Sequence, residues 1–259
     1  MKNEGSKMEI SDYFYEAFSH MDRLGPGSAE STQRAAEFYT ASKPPSEILD
    51  IGCGVGTHTF LLAQRFAQAR ITAIDHYAPY IDLLNQRAQA QNLSHRVRGQ
   101  VISMFEMPFA EESFDLIWAE GSIYIAGFQR GLMDWKPLLK PNGYLICSEI
   151  SWLKPNPSEE SYRFWKEGYP EIDTIDAKLN QIQAAGYLPK GQYICPVTDW
   201  TIHYYDVLQR NLEYMRDKYR GNETALKVVD MLQGEIDLYH RHSDDFSYVF
   251  YAMEKSVSL

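Results

Sequence analysis

Ile48-Leu49-Asp50-Ile51-Gly52-Cys53-Gly54-Val55-Gly56-Thr57 is the stretch on which the fold turns. A short apolar run ends in an acid, glycines follow at alternate positions, and residues 58–66 continue at helical period. That order predicts a strand, a tight bend and a helix, with glycines letting the bend take positive φ and letting a ligand approach the bare backbone. Further apolar runs fall at Arg70–Asp75, 97–103, Phe114–Ala119, 143–150, 187–195 and 246–253. Helical patterns separate the first five. After Pro79, a favoured first-turn residue, Ile81, Leu84 and Ala88 recur at spacings of three and four. Leu132, Trp135 and Leu139 do the same before the Lys140-Pro141-Asn142-Gly143 stop. Strands alternating with helices predict an α/β fold, a doubly wound, mostly parallel seven-stranded sheet.

The spacing inside the bend selects among ligands. A dinucleotide fingerprint, Gly-x-Gly-x-x-Gly/Ala, seats a pyrophosphate on the helix N-terminus. Counted from Gly52, Gly54 is in place but Thr57 occupies the third small position, and the third glycine comes early, at Gly56. Asp50 would repel a pyrophosphate yet suits an ammonium group. Asp75 closes the next strand 19 residues past Gly56, where a carboxylate accepts from both ribose hydroxyls. An ammonium and a ribose without phosphate describe S-adenosyl-L-methionine. An NAD(P)-dependent oxidoreductase is disfavoured by the same spacing. A non-catalytic module that senses S-adenosylmethionine or S-adenosylhomocysteine stays open, since the loop signals binding and not turnover.

Asp50-x-Gly52-x-Gly54-x-Gly56 with Asp75 resembles the first two motifs of class I S-adenosylmethionine-dependent methyltransferases. Met107-Pro108-Phe109 followed by Ser113-Phe114-Asp115-Leu116-Ile117 is similar to the segment leading into that family's fourth strand, and Leu139-Lys140-Pro141-Asn142-Gly143 to the turn before its fifth. More narrowly, Arg23-Leu24-Gly25-Pro26-Gly27-Ser28, Trp118-Ala119-Glu120-Gly121-Ser122-Ile123-Tyr124 and Tyr169-Pro170-Glu171-Ile172-Asp173 resemble a bacterial subgroup of uncharacterised small-molecule methyltransferases. The resemblance implies a Rossmann-like methyltransferase fold in which the Gly52–Gly56 backbone, Cys53 included, cradles the methionine moiety and Asp75 holds the ribose. It also implies that Ser103 and Met104 border the adenine, with His76 or Phe105 stacking on it. Ser103 departs from the pattern: many relatives carry an Asp there, a stronger acceptor than a hydroxyl.

Glu120 follows an apolar strand and is expected beside the reacting centre, holding the methionine ammonium, orienting a substrate or taking up a proton. Tyr124 lies one helical turn on, as a candidate substrate contact. Trp152, Trp200 and His203 are candidate pocket residues. The seven histidines form no metal-ligand spacing, so no metal is expected.

Lys+Arg 25 against Asp+Glu 35 gives a net charge of −10, which disfavours nucleic acid and anionic lipid as partners. Ala119-Glu120-Gly121-Ser122 also stands where base-amino methyltransferases carry Asn/Asp-Pro-Pro-aromatic. No apolar run is long enough to span a membrane, the N-terminus has no signal-peptide pattern, and three cysteines form no CxxC. The expectation is therefore a cytoplasmic enzyme, no membrane or nucleic-acid partner, and a small-molecule methyl acceptor. The oligomeric state, a homodimer included, stays open. Residues 1–46 are expected as an N-terminal helical cap, 47–196 and 246–259 as the cofactor-binding core, and 197–245 as a helical lid. The lid's stripes are Tyr204, Leu208, Leu212, Met215 and Tyr219, then Ala225, Val229, Leu232, Ile236 and Tyr239. The segment around residues 152–170 is expected as a loop joining that lid.

Overall fold

The computed structural model describes residues 8–256. Its strands are β1 (Glu47–Ile51), β2 (Arg70–Asp75), β3 (Val97–Val101), β4 (Phe114–Ala119), β5 (Leu139–Trp152), β6 (Asp173–Thr174), β7 (Tyr187–Ile194) and β8 (Phe246–Lys255). The sheet order is β3-β2-β1-β4-β5-β8-β7, with the two-residue β6 added beside β5. Strands β1 to β5 pair in parallel, and β8 runs antiparallel to both β5 and β7. The predicted seven-stranded path is present, and β6 makes an eighth strand. The chain order reverses between β1 and β4, the place where open α/β sheets bind ligands at their carboxyl ends.

The helices are α1 (Ile10–Ala17), α2 (Ala29–Ala36), α3 (Thr57–Arg65), α4 (Ala78–Ala90), α5 (Ile123–Ala126), α6 (Phe128–Trp135), α7 (Glu159–Gly168), α8 (Ile175–Ala184), α9 (Val197–Trp200), α10 (Asp206–Lys218) and α11 (Glu223–His242). A π-helical turn, Thr201–Tyr205, joins α9 to α10. Central strands are buried almost throughout because helices cover both faces, which is why their sequences read as continuous apolar runs. Successive residues feed opposite layers. Ile48, Trp118, Ile146 and Phe250 enter a core shared with α1, α10 and α11; Leu49, Ile117, Leu145 and Val249 enter one shared with α6 and α8.

Both stripes read from residues 197–245 face that first core. Leu208, Leu212 and Met215 of α10 are buried, as are Ala225, Val229, Leu232, Ile236 and Tyr239 of α11. The Asn222 side chain caps α11 by accepting from the Ala225 amide at 3.1 Å. Helix α1 packs on both α10 and α11, so the N-terminal segment and this insertion form one helical layer. The segment expected as a loop holds α7, whose Ser158 cap accepts from Ser161 N at 3.2 Å.

Candidate active site

The bend between β1 and α3 is built as the glycines predict. Gly52 has φ +73° and Gly56 has φ +86°. A Cβ on Gly52 would lie 2.4 Å from Ser122 Cβ, so only glycine allows this approach of the bend to the β4–α5 loop. The same position brings Met104 Cε to 3.7 Å of that Cβ site, so Met104 borders the bend. Ser122 Oγ donates to Ile51 O at 2.5 Å and ties the loops together. Cys53 is buried, and burial followed by the charges of Asp50 and Asp75 pushes its thiol well up, leaving it an inert packing group.

Asp75 ends β2 beside the bend. Its Oδ2 accepts from Gly54 N at 3.1 Å and its Oδ1 from Tyr77 N at 2.9 Å. Each oxygen therefore receives one backbone amide and retains lone-pair capacity for a further donor. Such a carboxylate fits a ribose diol. His76 is exposed and faces Tyr15 of α1, whose hydroxyl lies 2.8 Å from His76 Nε2. Tyr15 also stacks on Tyr77 at 3.9 Å between ring centroids. Ser103 Oγ accepts from Phe105 N at 3.3 Å, and Phe105 is exposed beneath the Arg130 guanidinium.

Two acids stand differently from their sequence expectation. Asp50 is 0% exposed, and each of its oxygens has a partner: Thr59 Oγ1 donates at 2.6 Å and His58 Nε2 lies at 3.1 Å. Its buried carboxylate shapes the start of α3. Glu120 is held by Arg23 at 2.6 Å, by Thr32 Oγ1 at 3.0 Å to both oxygens, and by Trp118 Nε1 at 3.2 Å. It is paired with a guanidinium and surrounded by neutral donors. The sequence reading of Glu120 does not include Arg23, which lies 97 residues away and belongs to no local pattern.

Arg23 shows what the N-terminal segment does. Leu24 lies against Gly54, Asp22 O accepts from Thr57 Oγ1, and Asp22 Oδ1 accepts from Arg87 at 2.8 Å. Residues 22–24 thus lie across the glycine bend, anchored from β4, α3 and α4.

Tyr124 is 40% exposed, yet burial, then the charges of Glu235 and Glu149, pushes its phenol up to about 12. Its ring lies 6.0 Å from that of Tyr169, whose hydroxyl donates to Glu149 near the end of β5. Tyr248 Cε2 approaches the Cβ direction of Gly121 at 3.8 Å, which places its ring at the end of β4. Trp152 and Trp200 are buried in the aromatic core, Trp200 donating to Ser247 Oγ at 2.9 Å; His203 is exposed.

A second buried pair supports this wall. Lys178 Nζ donates to Glu149 Oε1 at 2.6 Å, both side chains fully buried, and Tyr169 adds its hydroxyl at 2.7 Å. Burial raises the Glu149 carboxyl despite these partners, and its Oε2 has none among the described residues. Among the described residues no group of three or more His, Cys, Asp or Glu could hold a metal ion.

Residues 48–143 match the family described as Methyltransferase domain. Over these residues the chain carries a methyltransferase domain of the class I S-adenosylmethionine-dependent kind. It is 27% identical over 203 residues to the ubiquinone/menaquinone biosynthesis C-methyltransferase UbiE of Geotalea daltonii, covering 77% of this chain and 86% of that one. It is 26% identical over 253 residues to the sterol 24-C-methyltransferase ERG6B of Gibberella zeae, covering 88% of this chain and 65% of the sterol enzyme. Among solved structures, a methyltransferase from Geobacter sulfurreducens in complex with S-adenosyl-L-homocysteine superposes with a TM-score of 0.79 at 17% identity, covering 95% of this methyltransferase and 99% of that chain. At that identity the likeness shows the shared fold.

The methyltransferase's own geometry fits the cofactor. The bend next to Ser122 and Met104 has no room for a side chain, and Asp75 keeps acceptor capacity on both oxygens.

Proposed function

We propose that this methyltransferase transfers a methyl group to a small molecule held beside Tyr124, at the carboxyl end of β4. The observation that carries the reading is the cluster of Tyr124, Tyr169 and Tyr248 at the carboxyl ends of β4 and β5, next to the glycine bend. We assign the nucleoside to Asp75, with His76, Ser103 and Met104 on the adenine side, and the amino-acid part to the backbone of Gly52, Cys53, Gly54 and Gly56. S-adenosylmethionine, when bound, supplies an already activated methyl group. The chain's task is then geometric: holding an acceptor in line and near contact lowers a barrier by about 7–11 kcal/mol. Tyr124 and Tyr248 wall the acceptor, and the helical layer excludes water from it. Asp50 and Glu120 act as positioning residues, the first on α3 and the second on residues 22–24.

Its net charge of −10 supports an acceptor other than nucleic acid. No helix among the described residues is long and apolar enough to cross a membrane. Three unpaired buried cysteines support a cytoplasmic setting. Calorimetric titration with S-adenosylhomocysteine, then incubation of the protein and methyl-labelled S-adenosylmethionine with pooled metabolites, tests the proposal. Saturable binding and a labelled product small enough to pass a dialysis membrane are expected. Binding without any labelled small molecule would point to a sensing module instead.

A further inference from the structure

We infer that Arg23 is a cofactor-binding residue, its guanidinium taking the carboxylate of the methionine moiety; this rests on the function proposed above. Arg23 opens the stretch Arg23-Leu24-Gly25-Pro26-Gly27-Ser28, which lies outside every helix and strand. Two contacts fix its place. Leu24 Cδ1 approaches the Cβ direction of Gly54 at 2.8 Å, so the neighbouring residue sits on the bend itself. Arg23 reaches Glu120, two residues before Ser122, whose Cβ lies 2.4 Å from the Cβ direction of Gly52. The guanidinium is therefore held beside the bend, between the N-terminal segment and the end of β4. The charges of Arg23 and Glu120 both reach His58 in the first turn of α3, in keeping with that position.

Only part of the guanidinium is used. Of its five N–H donors, one goes to Glu120 Oε1 at 2.6 Å and one to Thr32 Oγ1 at 3.1 Å; the rest have no acceptor among the described residues. The Arg23 side chain is 11% exposed against 4% for Glu120, so the pair opens on its cationic side. Unused donors on a largely buried guanidinium are matched by a carboxylate, which takes two parallel N–H bonds. Arg87, the other guanidinium at the bend, donates to Val55 O at 3.3 Å and to Asp22 at 2.8 Å, and His58 is bound to Asp50. Arg23 is thus the cation left for a ligand carboxylate. Arg23 and Glu120 together are neutral, so an isolated anion gains little net attraction from them. An α-amino acid group is neutral as well and carries both signs on one carbon. With its carboxylate on Arg23 and its ammonium on the Glu120 side, it aligns with the pair charge for charge. A phosphate brings no ammonium and would meet the Glu120 charge unopposed.

The test measures the full chain by calorimetry with two probes, S-adenosylhomocysteine and the same thioether lacking only its carboxyl group. Both keep the adenosine, the sulfur and the ammonium, so their affinity ratio reads the carboxylate alone. The wild type should prefer S-adenosylhomocysteine by at least about tenfold, a difference of about 1.4 kcal/mol. Glu120→Gln, which keeps Arg23, should retain a preference of that size. Arg23→Met/Glu120→Gln, which leaves no uncompensated charge, should bind the two probes within about twofold of each other. Its affinity for the decarboxylated probe should equal that of Glu120→Gln, which shows that the cradle is folded. Equal affinity of the probes in the wild type, a preference that survives in the double variant, or an equal loss of both probes there overturns the assignment of Arg23. Failure of the wild type to bind either probe overturns instead the cofactor reading on which it rests.

Discussion

The Arg23 guanidinium lies 2.6 Å from the Glu120 carboxylate, both side chains largely buried, and this pair joins the N-terminal segment to the end of β4. Thr32 donates to the same carboxylate, so α2 is tied to the pair as well. Removing one partner of a buried pair leaves an uncompensated charge and costs about 3–5 kcal/mol. Arg23→Met should therefore destabilise the fold by that amount in urea unfolding. Adding Glu120→Gln should recover most of the loss, because the amide still accepts from Thr32 and Trp118 without a charge to compensate. A double variant as unstable as the single one would show that Arg23 acts through packing and not through Glu120.

Asp75 is the second test. Its two amide partners fix the carboxylate, and two ribose hydroxyls would use the remaining capacity. A hydrogen bond to a charged group is worth about 1.5–3 kcal/mol, so losing two corresponds to at least about a hundredfold in affinity. Asp75→Ala should weaken S-adenosylhomocysteine binding by that factor in calorimetry. Asp75→Asn, which keeps one oxygen as acceptor, should fall between. Undiminished affinity in Asp75→Ala would remove the ribose assignment.

The sheet and the glycine bend were legible because both follow from local rules. Continuous apolar runs mark strands covered on two faces, and alternate glycines ending at a helix mark the bend. The partners of the acids were not legible. Asp50 meets His58 and Thr59 through one turn of α3, a spacing visible in sequence only once the helix start is fixed. Glu120 meets Arg23 across 97 residues, and Tyr124 meets Tyr169 only when the segments after β4 and β5 fold together. Such tertiary contacts carry no period. Helix α7 was missed for a different reason: Glu159-Glu160-Ser161-Tyr162-Arg163-Phe164 buries only Ser161 among its residues and shows no clear apolar stripe.

His58 gives a pH dependence. Burial opposes its protonation, but the charges of Asp50 and Glu120 outweigh burial and the opposing Arg23, so its pKa is raised above 6.5. Protonated His58 is thus favoured by the folded state. Its stabilisation is complete below the unfolded value of about 6.5 and is lost as pH rises through the higher folded value. Urea unfolding of the wild type should show stability falling on this account as pH rises above that unfolded value. His58→Gln should lack that component. Parallel profiles for the two proteins would mean that His58 does not titrate against Asp50.

Gly52 separates two costs that usually come together. A side chain there pays for φ +73° and for a contact of 2.4 Å with Ser122 Cβ. A non-glycine residue in left-handed backbone costs about 1–2 kcal/mol. The clash is additional, and it can be relieved only by shifting the β4–α5 loop that carries Ser122 and Tyr124. Gly52→Ala should therefore lower stability by more than about 2 kcal/mol and disturb both the cofactor site and the acceptor site. Removing the opposing Cβ in Gly52→Ala/Ser122→Gly should restore part of the S-adenosylhomocysteine affinity while leaving the conformational cost and the lost Ser122–Ile51 bond in the stability. If the second substitution restores no binding, the close approach of these two loops is not what shapes the cofactor cradle.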